Sequence, residues 1–404
     1  MNPIYKVFCR IYQAAFHAAL PVLPYREPEL MKSVSELPAL LERLGRRSAL
    51  MITDAGLRKA GVTACLERLM EASSVKFTVY DGTQPNPTTN NVEEARSIYL
   101  RENCDCLIAF GGGSSIDCAK ALGARISYPR RSLNSLKGDL RIFRRLPTLI
   151  AIPTTAGTGS EVTVTAVITD PEKHHKYTMN SFPLIPHYAV LDPEVTYSLP
   201  PHLTATTGMD ALTHAVEAYI GRSTSKETRR LSCEAVRLIF DNIETACAKG
   251  DDRTARMNML TAAYKAGIAF SKSYVGYIHA VAHSLGGQYN VPHGLANSVM
   301  LPIFLEAYGD KIHQKLHELA VAAGIASEDE SHAAAAQRFI QTVRDMNRRM
   351  GIPETISGIC SEDVPAMAKR ASREGNPLYP VPVLMDAKEL ERFYLMVSDR
   401  SDNQ

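Results

Sequence analysis

The chain has 404 residues, 45% apolar and 22% charged, with 45 Lys and Arg against 43 Asp and Glu, a formal charge of +2. This composition excludes a disordered or fibrous protein, and charges of both signs spread along the chain leave no basic face for a nucleic-acid backbone. The length predicts two domains with ample core.

The N-terminus opens on an apolar stretch from Val7 to Leu23, interrupted by Arg10, Gln13 and His17. It is too broken for a membrane helix, and the basic-apolar-small order of a signal peptide is absent. Phe8, Ile11, Tyr12, Ala15, Phe16 and Ala19 recur at helical spacing, so residues 1–27 are expected to form an amphipathic helical extension that packs on the body or on a second subunit. From there to about residue 200, short apolar runs alternate with helical patterns. Ser48 to Thr53, Val75 to Tyr80, Cys106 to Phe110, Leu149 to Ile152 and the short Ala189 to Leu191 read as strands. A helix is expected from Asp54 to Met70 and another from Val92 to Glu102. Continuous apolar strands separated by helices predict a parallel sheet covered on both faces, an α/β domain over 28–200. After Pro200-Pro201 the pattern becomes helical throughout, as in Lys226 to Lys249, Arg253 to Lys272 and His332 to Met350, which predicts an all-α domain over 201–404. Asn376 to Pro382 reads as an extended loop. The cysteines, at 9, 65, 104, 106, 118, 233, 247 and 360, show no framework spacing and read as reduced thiols of a cytoplasmic protein. The Cys104 and Cys106 pair reads as strand entry, not as a metal site.

Two loops carry ligand chemistry. The third strand runs into Gly111-Gly112-Gly113-Ser114-Ser115-Ile116-Asp117 and then a helix, and glycines at a helix start allow an anion to approach free backbone N–H groups. This is a phosphate cradle, although neither the GxGxxG fingerprint nor an NTPase loop. The next strand ends in Pro153-Thr154-Thr155-Ala156-Gly157-Thr158-Gly159-Ser160-Glu161, a hydroxyl-rich surface at a strand's carboxyl end. Two such loops suit a dinucleotide. Asp54 is placed to accept from ribose hydroxyls and to repel a 2′-phosphate, which favours NAD over NADP, and it also reads as a helix N-cap.

In the helical half, Asp210 and His214 lie four residues apart, as do His279 and His283, and His293 follows between Pro292 and Gly294. One carboxylate with several imidazoles suits Fe(II) or Zn(II) better than Mg or Ca. Spacing alone leaves open which of His279, His283 and His293 bind.

The motifs GGGSSID, PTTAGTGSEVT, GMDALTHAVEAY and HAVAHSLGGQYNVPHGLANS resemble the iron-containing (group III) alcohol dehydrogenases in order and spacing, over roughly residues 28 to 395. The resemblance implies the dehydroquinate synthase-like fold of that family, with an N-terminal dinucleotide-binding domain, an all-helical C-terminal domain, and metal and nicotinamide meeting in the cleft between them. It places the metal ligands at Asp210, His214, His279 and His293, and makes His283 the catalytic histidine that relays a proton. For NAD it points to Asp54, Asn86, Gly112, Gly113, Ser114, Asp117, Thr154, Thr155, Thr158, Ser160, Lys176 and Leu191. His214 favours Fe(II), with Zn(II) second, because the zinc-dependent glycerol-oxidising relatives lack a histidine at that position. The lysine-rich site of the dehydroquinate synthases is absent. The implied reaction is reversible hydride transfer between NAD and a small primary alcohol or diol, in a homodimer or larger homo-oligomer without nucleic-acid or membrane partners. The alternatives are a polyol or hydroxy-acid dehydrogenase and a non-redox metal- and nucleotide-binding protein. The extension before Pro28 departs from the family's pattern.

Overall fold

The computed structural model describes residues 1–172 and 175–399. The chain divides into two compact units. The first comprises Pro24–Leu199 with Gly250–Leu260, and the second Met1–Leu23, Pro200–Lys249 and the chain from Thr261 onward. The Arg253–Ser273 helix therefore begins in one unit and ends in the other. Among the described residues no helix is long and apolar enough to cross a membrane.

The first unit holds nine strands among its described residues: β1 (Glu29–Met31), β2 (Ser48–Ile52), β3 (Lys76–Tyr80), β4 (Cys106–Gly111), β5 (Gly138–Asp139), β6 (Thr148–Pro153), β7 (Thr165–Asp170), β8 (His175–Asn180) and β9 (Tyr188–Val190). Six form an all-parallel sheet in the order β1-β9-β6-β4-β2-β3. The apolar runs of β2, β4 and β6 are buried at every residue. Leu50, Ile52, Leu107, Ala109, Leu149 and Ala151 join one core with Ile116 and Ala119 of the Gly113–Ser127 helix. Their neighbours Ala49, Met51, Ile108, Phe110, Ile150 and Ile152 join the other, with Leu40 and Leu66 from helices on the opposite face. Both pleat faces need apolar side chains, which is why these strands show no alternation.

Several expectations change. The helix expected from Asp54 to Met70 is two, Ala55–Lys59 and Ala64–Glu71, broken at Gly61, whose φ of +75° suits glycine. The three-residue β1 carries too little pattern to read. The three-stranded sheet β5-β8-β7, with β7 and β8 antiparallel, also escaped the sequence reading. β7 alternates half-buried and buried residues, and β8 reads His-Lys-Tyr-Thr-Met-Asn, which lacks a strand-like apolar run. In the second unit the N-terminal helix α1 (Pro3–Ala19) forms, but Phe8, Ile11 and Tyr12 are exposed while Cys9 and Gln13 are buried.

His187 ties three strands of the large sheet. Its backbone carbonyl accepts from Glu29, its N–H donates to Leu149 O, and its Nδ1 accepts from the Leu149 N–H at 3.1 Å. Burial, then the charges of Arg26, Arg145 and Arg46, push its pKa from 6.5 down to about 4. Protonation therefore favours the unfolded chain: this group's contribution is complete above pH 6.5 and is lost as pH falls towards 4, a loss of about 3 kcal/mol. Denaturant unfolding at neutral and mildly acid pH should show that loss in wild type and a smaller one in His187→Asn, which keeps an acceptor without the titration. Equal acid sensitivity in both would remove His187 as the cause.

Candidate metal centre and cofactor loops

The Pro201–Ile220 helix is buried continuously from Gly208 to Ile220, so polar groups along it must find partners inside the protein. Asp210 and His214, one turn apart, face the Tyr277–Tyr289 helix, which supplies His279, and the start of the His293–Tyr308 helix, which supplies His293. One ligand atom from each of these four residues lies within 4.8 Å of the others. His279 Nε2 is 3.8 Å and His293 Nε2 3.6 Å from Asp210 Oδ1. The His214 ring stacks between Phe270, at 4.2 Å, and His279, at 4.5 Å. Asn297 Nδ2 donates to Asp210 Oδ1 at 2.6 Å and holds that carboxylate in place.

Glu217, which the sequence reading missed, organises the centre. It follows His214 by three residues and Asp210 by seven, on the same helix face. Its Oε2 accepts from Gly276 N–H at 2.8 Å, its Oε1 from Ile278 N–H at 3.0 Å, and His279 Nδ1 lies 2.6 Å from Oε2. A Cβ on Gly276 would strike this carboxylate, so the close approach requires glycine. Burial pushes Glu217 up to about 8, while the N–H donors pull it down. Burial, and then the neighbouring histidines, hold His279 well below its ordinary value, so its imidazole is neutral. Glu217 engages Nδ1 of His279, and the Nε2 of the same ring is buried without a hydrogen-bond partner and borders Asp210. A carboxylate fixing an imidazole whose other nitrogen is orphaned is the arrangement a divalent ion fits.

His283 stands outside the four-residue cluster. Its Nδ1 lies 2.6 Å from Glu374 Oε1, which also accepts from the Tyr379 hydroxyl at 2.7 Å, and its ring stacks on His293 at 5.1 Å. The i, i+4 histidines are thus separated by their carboxylate partners, Glu217 for His279 and Glu374 for His283.

In the first unit, the connection from β2 leads to β3 on one side and that from β4 to β6 on the other, so the strand order reverses between β2 and β4. Open α/β sheets bind ligands in the crevice at such a point, beyond the strands' carboxyl ends. Asp54 follows β2, and its side chain caps the next helix by accepting from Leu57 N–H at 2.9 Å. Gly112 caps the helix after β4, and Ser114 lies in that helix's first turn. A Cβ on Gly112 would lie 3.3 Å from Thr155, and one on Gly113 2.9 Å from Thr158, so these glycines also let the two loops close on each other. Thr154 is buried, with its N–H donating to Gly111 O. Asn86 adopts φ +58° and accepts from Lys176 Nζ at 2.7 Å, which joins residues ninety positions apart. Leu191 is buried just after β9, its N–H donating to Met31 O.

Asp117 and Ser160 have partners within the protein. Asp117 Oδ1 accepts from the Ser160 hydroxyl at 2.6 Å and Oδ2 from Val167 N–H at 3.0 Å. Nearby, the fully buried Lys120 donates to Thr163 O, Thr163 Oγ1 and Thr165 O, and burial lowers it to about 8. These bonds fasten the helix after the glycine loop to the hydroxyl loop and to β7.

Comparison with known proteins agrees with both halves. The iron-containing alcohol dehydrogenase family model matches residues 31–193, and the model of that family's C-terminal domain matches 204–395. The chain is 36% identical to 1,3-propanediol dehydrogenase of Klebsiella pneumoniae over 366 residues, 89% of this chain and 93% of the relative. It is 35% identical to an NAD-dependent methanol dehydrogenase of Bacillus methanolicus over 344 residues, 84% and 89% of the two chains. An alcohol dehydrogenase structure from Oenococcus oeni superposes with a TM-score of 0.88 at 32% identity, covering 93% of this chain and all of that one. The chain is an oxidoreductase of the iron-containing alcohol dehydrogenase family.

Proposed function

We propose that this protein catalyses reversible, metal-dependent hydride transfer between NAD and a small primary alcohol or diol. The observation that carries the reading is the convergence of Asp210, His214, His279 and His293 around the orphaned His279 Nε2, in a chain whose relatives include propanediol and methanol dehydrogenases. Those four side chains would hold the ion, with Fe(II) favoured over Zn(II). When bound, the ion supplies Lewis acidity towards the alcohol oxygen and NAD supplies the hydride acceptor. Three neutral imidazoles and one carboxylate leave the centre net positive, which favours negative charge on that oxygen. Glu217 orients His279, and Asn297 orients Asp210. His283, held through Nδ1 by Glu374, keeps Nε2 to take up and release the alcohol proton. His283→Ala is expected to slow turnover by about a hundredfold or more while metal content stays at the wild-type level. Wild-type turnover in that variant would remove the proton role.

The loops after β2, β4 and β6 would bind NAD, with the diphosphate at Gly112, Gly113 and Ser114 and the hydroxyl loop of Thr154, Thr155 and Thr158 nearer the nicotinamide. Asn86, Lys176 and Leu191 would complete the cofactor contacts, and the Asp117–Ser160 hydrogen bond would hold the helix after the glycine loop to the hydroxyl loop. Asp54 selects NAD. In Asp54→Ala, kcat/KM for NADP relative to NAD should rise roughly tenfold, and loss of the cap should cost about 1 kcal/mol of stability. An unchanged ratio would leave Asp54 as a cap only. The test of the whole reading is a panel of short alcohols, diols, polyols and hydroxy acids, assayed for NADH formation with Fe(II) or Zn(II). Highest kcat/KM on a small primary alcohol or diol supports it, and highest kcat/KM on a polyol or hydroxy acid contradicts it. Eight free thiols support a reducing, cytoplasmic location, and the exposed N-terminal helix supports a homo-oligomer.

A further inference from the structure

Helix α1 is turned inside out relative to an ordinary amphipathic helix. Its polar side faces the 377–382 loop of its own unit: Gln13 Nε2 donates to Pro377 O and Tyr379 O, and the Arg10 guanidinium donates to Val381 O and Pro382 O. Phe16 adds an edge-on contact with Tyr274 at 5.1 Å. These bonds satisfy carbonyls of the 377–382 loop and hold the helix against the body. Its apolar side faces outward, with Ile4 81%, Tyr5 41%, Val7 59%, Phe8 51%, Ile11 65% and Tyr12 43% exposed. Tyr5, Phe8 and Tyr12 form a ladder of rings, with centroids 6.0 and 6.4 Å apart. The residues matched by the family models begin at 31, so this surface belongs to the chain's own extension.

We propose that the outward face of α1 is where two copies of this chain meet, as an antiparallel helix pair about a two-fold axis. The six exposed side chains present about 600 Å² per copy, at the upper end of the patches found on monomers. Paired with itself, the face would bury up to about 1,200 Å², the size at which specific interfaces begin. A two-fold interface requires a self-complementary surface, and an uncharged one meets that condition without opposing like charges. No Asp, Glu, Lys or Arg is among the exposed residues of α1: Lys6 is half-buried and Arg10 is bound to carbonyls. This also argues against a lipid surface, since interfacial helices draw on Lys and Arg beside the apolar face. The proposal is independent of the catalytic reading.

Sedimentation velocity of the full chain and of Phe8→Glu/Ile11→Glu tests it, with circular dichroism as the folding control. The expected result is a folded variant with half the wild-type particle mass. If that variant does not fold, Ile4→Lys/Val7→Lys, on the same exposed face, should give the same twofold fall. A monomeric wild type, or an unchanged mass in the folded variant, would overturn the proposal. A monomeric wild type that floats with phosphatidylglycerol vesicles, while the variant does not, would assign the face to lipid instead.

Discussion

His279→Ala is expected to leave a folded protein that retains little metal and has lost at least about a hundredfold in kcat/KM for the alcohol, beyond the usual effect of removing a group that only orients a ligand. His279 contributes the buried Nε2 that borders Asp210, and its removal also strips Glu217 of its side-chain partner. Elemental analysis after dialysis, alongside NADH formation, checks both halves. Wild-type metal content would show that the ion is held elsewhere. Lost activity with retained metal would move His279 from holding the ion to another role.

Glu217→Gln separates holding a ligand from being one. The amide keeps the shape and can still accept from Gly276 or Ile278, but it cannot stabilise an imidazole bound to a cation as a carboxylate does. Metal affinity should fall about 10- to 100-fold, and activity should return towards wild type when the ion is added in excess. A metal titration of NADH formation reads this directly. The position of the midpoint reports affinity and the plateau reports chemistry. A lowered plateau with an unchanged midpoint would contradict an orienting role for Glu217.

The central strands were legible because β2, β4 and β6 are buried on both faces, so their own residues had to be apolar without interruption. β7 and β8 were not, because they owe their pairing to an antiparallel partner and to Asp117 Oδ2, which accepts from Val167 N–H. The excursion of residues 250–260 into the first unit was equally hidden. It rests on such tertiary bonds as Arg256 to Leu199 O and the Arg253–Glu194 ion pair.

At the metal centre, the i, i+4 spacings brought Asp210, His214, His279 and His283 to notice, and His293 stood out between Pro292 and Gly294, yet spacing treats His279 and His283 alike. What distinguishes them is which carboxylate folds against each, and Glu374 lies ninety-one residues from its histidine. Glu217 was within reach, since a carboxylate seven residues after Asp210 on an apolar helix has no solvent to face. The N-terminal helix shows the opposite limit. Its period was readable, but its orientation depends on loop carbonyls more than 360 residues away that Arg10 and Gln13 satisfy.

The most direct test of the account is NADH formation from NAD and 1,3-propanediol or a short primary alcohol, comparing metal-free protein with protein reconstituted anaerobically with Fe(II). Silence without metal and turnover with it, abolished in His279→Ala, are expected. Equal NADH formation by metal-free and reconstituted protein, or no turnover when both Fe(II) and NAD are shown to bind, would contradict the account.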